Sequence, residues 1–418
     1  MSQAASLSPG DLHDDQIVAL LRSGAHAALL IAYFGEIEYR ELSQLAKLAA
    51  IRRKRRGRLV FVLPGVMGSR LGVVRRGVPH LLWLHPTAVG AGGLLDLALP
   101  GSRSIRAVGV MLPGYLKLKL SLEVAGLRPV FHPFDWRLDI DRLARSFMQR
   151  VESCGARKVF VLAHSMGGLV ARAALAHDKQ HRIERLLQVG SPNEGSFAPV
   201  QALRAVYPTV RKIAALGDSH TAEQLAHAVF LTLPGLYQML PTHDSDADVD
   251  LFDADRWPDD ELRPDRTLLA RARRLRARMP PADDRCGAII GTNQETITSV
   301  TRRHDEFQYE IRRDGDGTVP TARACWPGAP AWYVDENHGA LTQNDLVLAA
   351  IADVLRSGDT ARITARAPTP ADGIVRRTTD TQLRARATRK VRWESLSVES
   401  RRRILDPFIT PEFEAPQS

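Results

Sequence analysis

Residues 159–170 constrain the fold more than any other part of this sequence. They read VFVLAHSMGGLV, so an apolar run precedes Ser165, and two glycines and further apolar residues follow it. This order predicts a buried strand, a sharp turn that exposes the serine, and a helix. The turn needs small residues two positions before and two positions after the serine, and Ala163 and Gly167 meet that need. A chance match is the alternative, which the flanking strand and helix disfavour.

Similar short apolar runs recur along the chain and predict strands that are buried on both faces. They lie at residues 59–63, 158–162, 186–189, 287–290 and 331–334. Amphipathic helical stretches separate several of these runs. Strands that alternate with helices predict an α/β fold, with a mostly parallel sheet and helices on both faces.

Composition divides the chain into three predicted parts. Residues 1–56 form a small helical segment that ends in a basic linker, and residues 57–358 form the α/β domain. Within that domain, the interval between two strands is far longer than a crossover needs, which predicts an inserted cap at about 196–285. Residues 359–418 are basic and lack apolar periodicity, so we expect a mostly disordered tail.

The charge and the cysteines limit the partners that we expect. The formal net charge is +10, but the basic excess is spread along the chain, and the run at 52–56 is interpreted as a solvated linker. No base-reading motif accompanies it, so nucleic acid is disfavoured as a partner, whereas peripheral contact with an anionic membrane is retained as an expectation.

The three cysteines lack metal-ligand spacing, which predicts no metal and no cofactor. Since no secretory signal is visible at the start, we expect a cytoplasmic location; the oligomeric state is left open.

A nucleophilic serine needs a base within hydrogen-bond distance and an acid that orients the base. After a turn of this type, the acid and then the histidine follow the serine in the chain. The loop DGDGTVP at 314–320 offers two carboxylates; we predict Asp316 as the acid, with Asp314 as the alternative. His338, which lies between the last predicted strand and the last helix, is the predicted base. His164 is expected to support the site instead, because adjacent side chains on a sharp turn point apart.

An acyl-transfer site also needs backbone N–H donors for the developing oxyanion. Met166, the residue after the serine, is predicted to supply one donor. The glycine-containing loop at 64–69 is predicted to supply the other, through Val66 with Met67 as its neighbour. An ordinary turn is the alternative interpretation of that loop.

Four stretches together resemble the lecithin:cholesterol acyltransferase-like branch of the α/β-hydrolases, which includes phospholipases and phospholipid acyltransferases. They are LPGVMGSRL at 63–71, FDWR at 134–137, the turn around Ser165, and DGDGTVP at 314–320 followed by His338. The resemblance implies an α/β-hydrolase fold with a cap, and the triad Ser165, Asp316 and His338. It also implies an oxyanion hole at Val66 and Met166, and substrate contacts at Met67 and Trp136. For Trp136, a place in the core is an equal alternative.

The sequence therefore predicts a serine hydrolase that cleaves a lipid carboxylic ester through an acyl-enzyme on Ser165. An O-acyltransferase that moves a fatty acyl group from phospholipid to an alcohol would use the same catalytic residues and is the alternative. A non-enzymatic protein that binds membranes or nucleic acid is a remote third hypothesis.

Overall fold

The structure is a computed structural model, and it describes residues 12–52, 57–75, 78–83, 92–101, 104–215, 220–242, 249–369 and 373–386. Most of the basic run at 52–56 and the end of the predicted tail lie outside these described residues.

Strands occur from one end of the described chain to the other, and each is numbered in chain order. They are β1 (Leu59–Leu63), β2 (Ser69–Arg75), β3 (Val78–Trp83), β4 (Ile105–Val110), β5 (Arg128–Phe131), β6 (Val159–His164), β7 (Ile183–Val189), β8 (Cys286–Thr292), β9 (Glu295–Arg303), β10 (Glu306–Arg313), β11 (Ala331–Asp335) and β12 (Arg376–Thr379).

The α-helices are numbered in the same way. They are α1 (Asp14–Ser23), α2 (Ala27–Phe34), α3 (Glu36–Arg52), α4 (Leu112–Val124), α5 (Ile140–Ser153), α6 (Met166–Leu175), α7 (Ala198–Leu203), α8 (Pro208–Ala215), α9 (Ala222–Ala228), α10 (Pro234–Tyr237), α11 (Arg266–Arg276), α12 (Thr321–Ala324), α13 (Asp345–Ser357) and α14 (Asp380–Ala385). Short 3-10 helices lie at Gly93–Leu97, Phe230–Thr232, Ala254–Arg256 and Ala340–Thr342.

The central sheet has six parallel strands in the order β11-β8-β7-β6-β1-β5. All five predicted strands belong to it, and β5 is the sixth. Strands β1, β6 and β8 are buried along their whole length, which explains their continuous apolar runs. This parallel sheet, with a strand–turn–helix at β6 and α6, is an α/β-hydrolase fold, and the predicted fold class is confirmed.

Apolar side chains pack on both faces of this sheet, and β1 shows how one strand serves both. Leu59, Phe61 and Leu63 join a core that includes α5 and α6. Val60 and Val62 point the other way, into a core that includes α4 and α13. The alternation follows from the pleat of a strand, and it confirms that helices cover both faces.

The predicted N-terminal helical segment consists of α1, α2 and α3, and it packs on α4. The ammonium group of Lys119, a buried residue of α4, pairs with Asp14 and with Asp15, the latter at 2.7 Å. The ammonium group of Lys117, also in α4, lies 2.6 Å from a carboxylate oxygen of Glu41 in α3. Apolar residues of all three helices also join the core on that face. The segment is therefore joined to the α/β domain by both ion pairs and apolar contacts.

Helices α7 to α11 all lie between β7 and β8, the interval where we predict a cap. Two small antiparallel sheets complete the described fold, β3-β2-β4 and β12-β10-β9. No described helix is both long enough and apolar enough to cross a membrane.

The described part of the predicted disordered tail is folded, which corrects that expectation for residues 359–369 and 373–386. Strand β12 pairs antiparallel with β10, and α14 follows it directly. Asp380 at the start of α14 is fully buried and forms an ion pair with Arg204, at 2.9 Å. A few buried contacts thus hold this basic segment against the rest of the fold. The amino-acid composition alone does not indicate such contacts. Residues 387–418 lie outside the described residues.

Candidate active site

Ser165 lies at the turn between β6 and α6, as the sequence predicts. Its backbone has φ 53° and ψ −126°, a combination that a residue with a side chain rarely adopts. The Ser165 N–H donates to the Val189 carbonyl of the adjacent strand at 2.9 Å, and the Gly168 N–H donates to the Ser165 carbonyl at 2.9 Å. These bonds from both sides hold the strained turn in place.

The structure brings Ser165, His338 and Asp316 into one hydrogen-bonded series. Nδ1 of His338 lies 2.7 Å from Oδ2 of Asp316, and Nε2 of His338 lies 2.9 Å from Oγ of Ser165. Because an ionised carboxylate only accepts, Nδ1 carries the proton, and Nε2 is free to accept from the serine hydroxyl. All three residues are buried. This arrangement can remove a proton from the serine as it attacks a carbonyl carbon.

Asp316, not Asp314, is the carboxylate that contacts the histidine. Its second oxygen, Oδ1, accepts the backbone N–H groups of Thr318 at 3.0 Å and Val319 at 2.7 Å. The His338 N–H also donates to the Asp316 carbonyl at 2.7 Å. The carboxylate therefore has a fixed orientation, and the loop that carries it is bonded directly to the loop that carries the histidine.

The loop after β1 lies against the serine, where we predict an oxyanion hole. A methyl group in place of the Gly65 hydrogen would lie 2.9 Å from the Ser165 Cβ atom, so only glycine fits there. Val66 and Met67 form the turn that follows, which the Gly68 N–H closes by donating to the Gly65 carbonyl at 3.0 Å. Met166 is the first residue of α6, so its N–H has no acceptor within the helix. Both predicted donors thus belong to segments that adjoin Ser165.

His164 and Tyr115 form a second polar pair beside the triad. The Tyr115 hydroxyl lies 2.9 Å from Nδ1 of His164 and accepts the Gly65 N–H at 2.8 Å. Nε2 of His164 lies 3.1 Å from the backbone carbonyl of His338. Burial and the neighbouring charge of His338 lower the pKa of His164 from its ordinary value to about 3. His164 is therefore neutral near pH 7, and its two ring nitrogens bond to Tyr115 and to the His338 backbone rather than to the serine hydroxyl.

A pocket opens above Ser165 and His338, and most of its wall is apolar. Its lining is drawn from the loop after β1 (Gly65, Val66, Met67 and Gly68), from the cap interval (Ser196, Ala198, Pro199, Ala202, Tyr207, Thr209, Leu236 and Met239), and from other parts of the domain (Trp83, Met111, Tyr115, His164, Pro192, Thr318 and Val319). Met67, a predicted substrate contact, is among these residues. The wall suits an apolar group near the serine.

Trp136 does not line the pocket, which corrects its predicted substrate contact. Its side chain is fully buried, and its indole N–H donates to the Ser69 carbonyl at 3.2 Å. Its ring meets that of Trp83 edge to face, with 5.2 Å between centroids. The neighbours Asp135 and Arg137 form an ion pair with each other at 2.7 Å. Trp136 is thus a core residue that supports Trp83, and Trp83 lines the pocket instead.

Sequence reasoning missed Trp83 and Tyr115. Trp83 lies in an edge strand of a small antiparallel sheet, and its indole N–H donates to the Met67 carbonyl at 2.9 Å. Tyr115 lies inside α4, amid leucines and lysines that read as an ordinary helix. Neither belongs to a motif, so only the three-dimensional arrangement identifies them as neighbours of the site.

A protein-family model described as a PGAP1-like alpha/beta domain matches residues 140–245. This range contains Ser165 and the turn around it, but it ends before Asp316 and His338. The "Uncharacterized protein YJR098C" of Saccharomyces cerevisiae is 36% identical over 66 residues, which is 15% of this chain and 10% of that protein. The chain thus matches about a tenth of the length of this curated relative.

Among solved structures, the chain is similar to the Tle4–Tli4 complex, with 13% identity and a TM-score of 0.48 over 72% of this chain and 99% of that one. It is also similar to the mature Bacillus licheniformis lipase BlEst2, with 12% identity and a TM-score of 0.40 over 72% and 94% of the two chains. For carboxylesterase CesB (YbfK) of Bacillus subtilis the identity is 11%, and the TM-score is 0.35 over 77% and 98%. The narrower resemblance to lecithin:cholesterol acyltransferase-like enzymes stays a prediction.

Proposed function

We propose that this protein is a serine hydrolase that cleaves a lipid carboxylic ester through an acyl-enzyme on Ser165. One observation carries the proposal: the hydrogen-bonded series from Ser165 through His338 to Asp316 lies at an apolar pocket. A serine on a strained turn, with a base and an oriented acid, is the arrangement that acyl transfer requires.

The proposed reaction has two halves. In the first, Nε2 of His338 takes the hydroxyl proton while Oγ of Ser165 bonds to the ester carbonyl carbon, and the same proton then passes to the departing alcohol. In the second, His338 takes a proton from water as the water oxygen attacks the acyl carbon. The proton returns to Oγ as the fatty acid leaves. Asp316 stabilises the imidazolium that forms in both halves.

Backbone N–H groups of Val66 and Met166 are proposed to bind the oxyanion of each tetrahedral intermediate. The close approach of Gly65 to Ser165 supports this role for the loop after β1, and the position of Met166 at the start of a helix supports the other donor. Loss of one such donor typically costs about 3–4 kcal/mol of transition-state stabilisation.

A lipid ester is the proposed substrate because the pocket wall is mainly apolar. Met67, Met111, Leu236 and Met239 all contribute to it. Three of these four side chains are methionines, which adapt to flexible apolar ligands. The polar side chains of the pocket are Ser165, His164, His338 and a few further residues with hydroxyl groups.

A fluorophosphonate probe tests the nucleophile directly, because it labels only an activated serine. We expect labelling and ester cleavage by the full chain, and loss of both in Ser165→Ala. Ser153→Ala is the matched control, because Ser153 is exposed at the end of α5 and its hydroxyl bonds only to the local backbone. Equal labelling of Ser165→Ala and the wild type would reject the proposal.

Acyl transfer to an alcohol shares every one of these residues and differs in the acceptor. Product analysis with a phospholipid donor, with and without a long-chain or sterol alcohol, separates the two reactions. We expect free fatty acid as the main product under both conditions. A new ester that forms at the expense of fatty acid would identify the protein as an acyltransferase.

We also propose peripheral contact with an anionic membrane. Ile37, Leu48 and Ile51 are exposed on one face of α3, and the basic run at 52–56 begins at the end of that helix. Co-sedimentation with phosphatidylserine vesicles should detect binding, which Ile51→Asp should weaken. Ile374→Asp, which makes the same change at an exposed isoleucine outside α3, is the control. Absence of binding by the wild type at every phosphatidylserine content would reject this contact.

A further inference from the structure

The hydroxyl of Tyr115 and the ring of His164 connect the two loops that flank Ser165. Tyr115 bonds to Gly65 in the loop after β1, and His164 bonds to the backbone of His338. Both side chains are buried, and neither donates to or accepts from the serine hydroxyl. The pair therefore lies beside the triad, with one end bonded to the predicted oxyanion loop and the other to the backbone of His338.

One assignment of protons to a neutral His164 satisfies both of its ring nitrogens. The His338 carbonyl only accepts, so Nε2 of His164 carries a proton and donates it there. The Gly65 N–H occupies one acceptor position of the Tyr115 oxygen. The tyrosine proton then points at Nδ1 of His164, which accepts it in the neutral ring. Every donor in the series meets one acceptor, and a single tautomer of a neutral His164 satisfies all of them.

A charged His164 would disrupt this series. It would carry a proton on Nδ1 that faces the Tyr115 hydroxyl, and its ring centroid lies 4.8 Å from that of His338. During acyl transfer His338 itself becomes positively charged, so a second imidazolium beside it would oppose the step. A neutral ring avoids this repulsion while it still holds the backbone of His338.

From these contacts we infer that Tyr115 and His164 are positioning residues that fix the oxyanion loop and the base relative to Ser165. The inference rests on the proposed function. It gives Tyr115 a role that the sequence does not indicate, and it gives His164 a role distinct from that of a base. A reacting geometry is sensitive to small displacements, and one of about 1 Å can slow a reaction about 100-fold.

Tyr115→Phe tests the inference, because it removes one oxygen atom and leaves the ring. We expect kcat for a soluble ester to fall about 10-fold to 100-fold, with KM within about twofold of the wild type. Tyr237→Phe is the matched control. The Tyr237 hydroxyl is also buried between two backbone groups, since it donates to the Leu231 carbonyl at 2.8 Å and accepts the Asp265 N–H at 3.1 Å. The Tyr237→Phe variant should have a lower melting temperature than the wild type but the same kcat.

Two variants of His164 distinguish the effect of its bond to Tyr115 from the effect of its bond to the His338 backbone. His164→Asn retains an acceptor near the position of Nδ1, and His164→Gln retains a donor near the position of Nε2. We expect His164→Gln to keep more of kcat, because it preserves the bond to the base. Melting curves identify any variant that fails to fold, and the remaining variants still decide the question.

The possible outcomes distinguish this inference from the proposed function. A wild type that neither cleaves esters nor reacts with fluorophosphonate would overturn both. A wild type that reacts, together with a folded Tyr115→Phe whose kcat is within twofold of it, would overturn the positioning role alone. An equal loss of kcat in Tyr237→Phe would also overturn it, because any buried hydroxyl would then have the same effect.

Discussion

Asp316 uses its two carboxylate oxygens for different purposes. Oδ2 accepts from His338, and Oδ1 accepts two backbone N–H groups of its own loop. Bonds to a charged acceptor are stronger than neutral ones, so the loop holds the carboxylate in the orientation that the histidine needs. Asp314, two residues earlier, contributes its backbone carbonyl to Thr321 at 3.4 Å. Two acidic residues of one loop thus differ in function because only one of them faces the histidine.

Asp316→Asn is therefore expected to lower kcat by about 10⁴-fold, since an amide can stabilise the wrong tautomer of His338. Steady-state kinetics on a soluble ester measure this change, and KM should move little. Asp314→Asn makes the same chemical change in the same loop and should retain kcat within about threefold. If the two variants lose activity equally, the assignment of the acid is wrong.

His164 also predicts how stability depends on pH. Its pKa is about 3 in the folded protein, because of burial and then the charge of His338, against an ordinary value near 6.5. Between these two pH values His164 binds a proton in the unfolded chain but not in the folded protein. The free energy of unfolding therefore falls as pH falls through this window. The slope attributable to one such group is up to about 1.4 kcal/mol per pH unit.

Urea unfolding at pH 6.5 and pH 5 measures this slope. We expect the wild type to lose more stability on acidification than His164→Gln, which has no titratable ring at that position. His304→Gln removes an exposed histidine and should leave the wild-type difference unchanged. A slope that is identical in wild type and His164→Gln would contradict the expectation.

The start of α6, just after the turn at Ser165, packs directly against the end of β1. A methyl group added at Gly167 would lie 2.5 Å from the Pro64 carbonyl oxygen and 2.8 Å from that of Leu63. Both contacts are with backbone, which cannot rotate away. The close approach of α6 to the end of β1 and to the loop that follows it therefore requires glycine at position 167.

Gly167→Ala is expected to push α6 away from β1 and to reduce stability by about 1–3 kcal/mol, as overpacking in a core does. Ester cleavage should fall as well, because Met166 moves with the helix. Thermal melts and kinetics measure both effects. Gly373→Ala, where no heavy atom lies within 4 Å of the added carbon, is the control and should change neither. A fully stable Gly167→Ala variant would contradict this packing.

The elements that could be predicted from sequence are those whose pattern comes from burial alone. Strands such as β1 and β6 are covered on both faces, so every residue except His164 is apolar and the run is visible. Strand β9 is only partly buried and mixes threonine and arginine with apolar residues, so it gives no such run. Around the site, Ser165, Asp316 and His338 could be predicted from the sequence, because their order in the chain and the residues of their turns indicate them. Tyr115 was not, because a tyrosine inside a helix has no local signature.

Across the whole molecule, Arg204 ties the cap interval to the C-terminal segment. Its fully buried guanidinium pairs with Asp380 at 2.9 Å and with Asp260 at 2.7 Å. The other oxygen of Asp380 accepts the Tyr309 hydroxyl at 2.7 Å. One carboxylate thus joins α14, β10 and the end of α7, three elements far apart in the sequence.

Asp380→Asn should destabilise the fold by about 3–5 kcal/mol, because it leaves a buried guanidinium with less compensating charge. Chemical denaturation measures this loss. Asp353→Asn removes a partner of Arg362 from a much more exposed ion pair and should cost at most about 1 kcal/mol. Similar losses in the two variants would show that burial of the Arg204 pair adds nothing.

Helix α4 carries Tyr115 and Lys119 one turn apart, and the acidic residues at the start of α1 hold Lys119. A substitution at Asp14 therefore acts on the helix that presents Tyr115, although it is remote in sequence from all three residues of the triad. If the chain is mutated at random and selected for altered activity, we therefore expect some of the selected substitutions to lie in α1, which contains none of the reacting groups. Such changes would alter the alignment of the reacting groups rather than their identity.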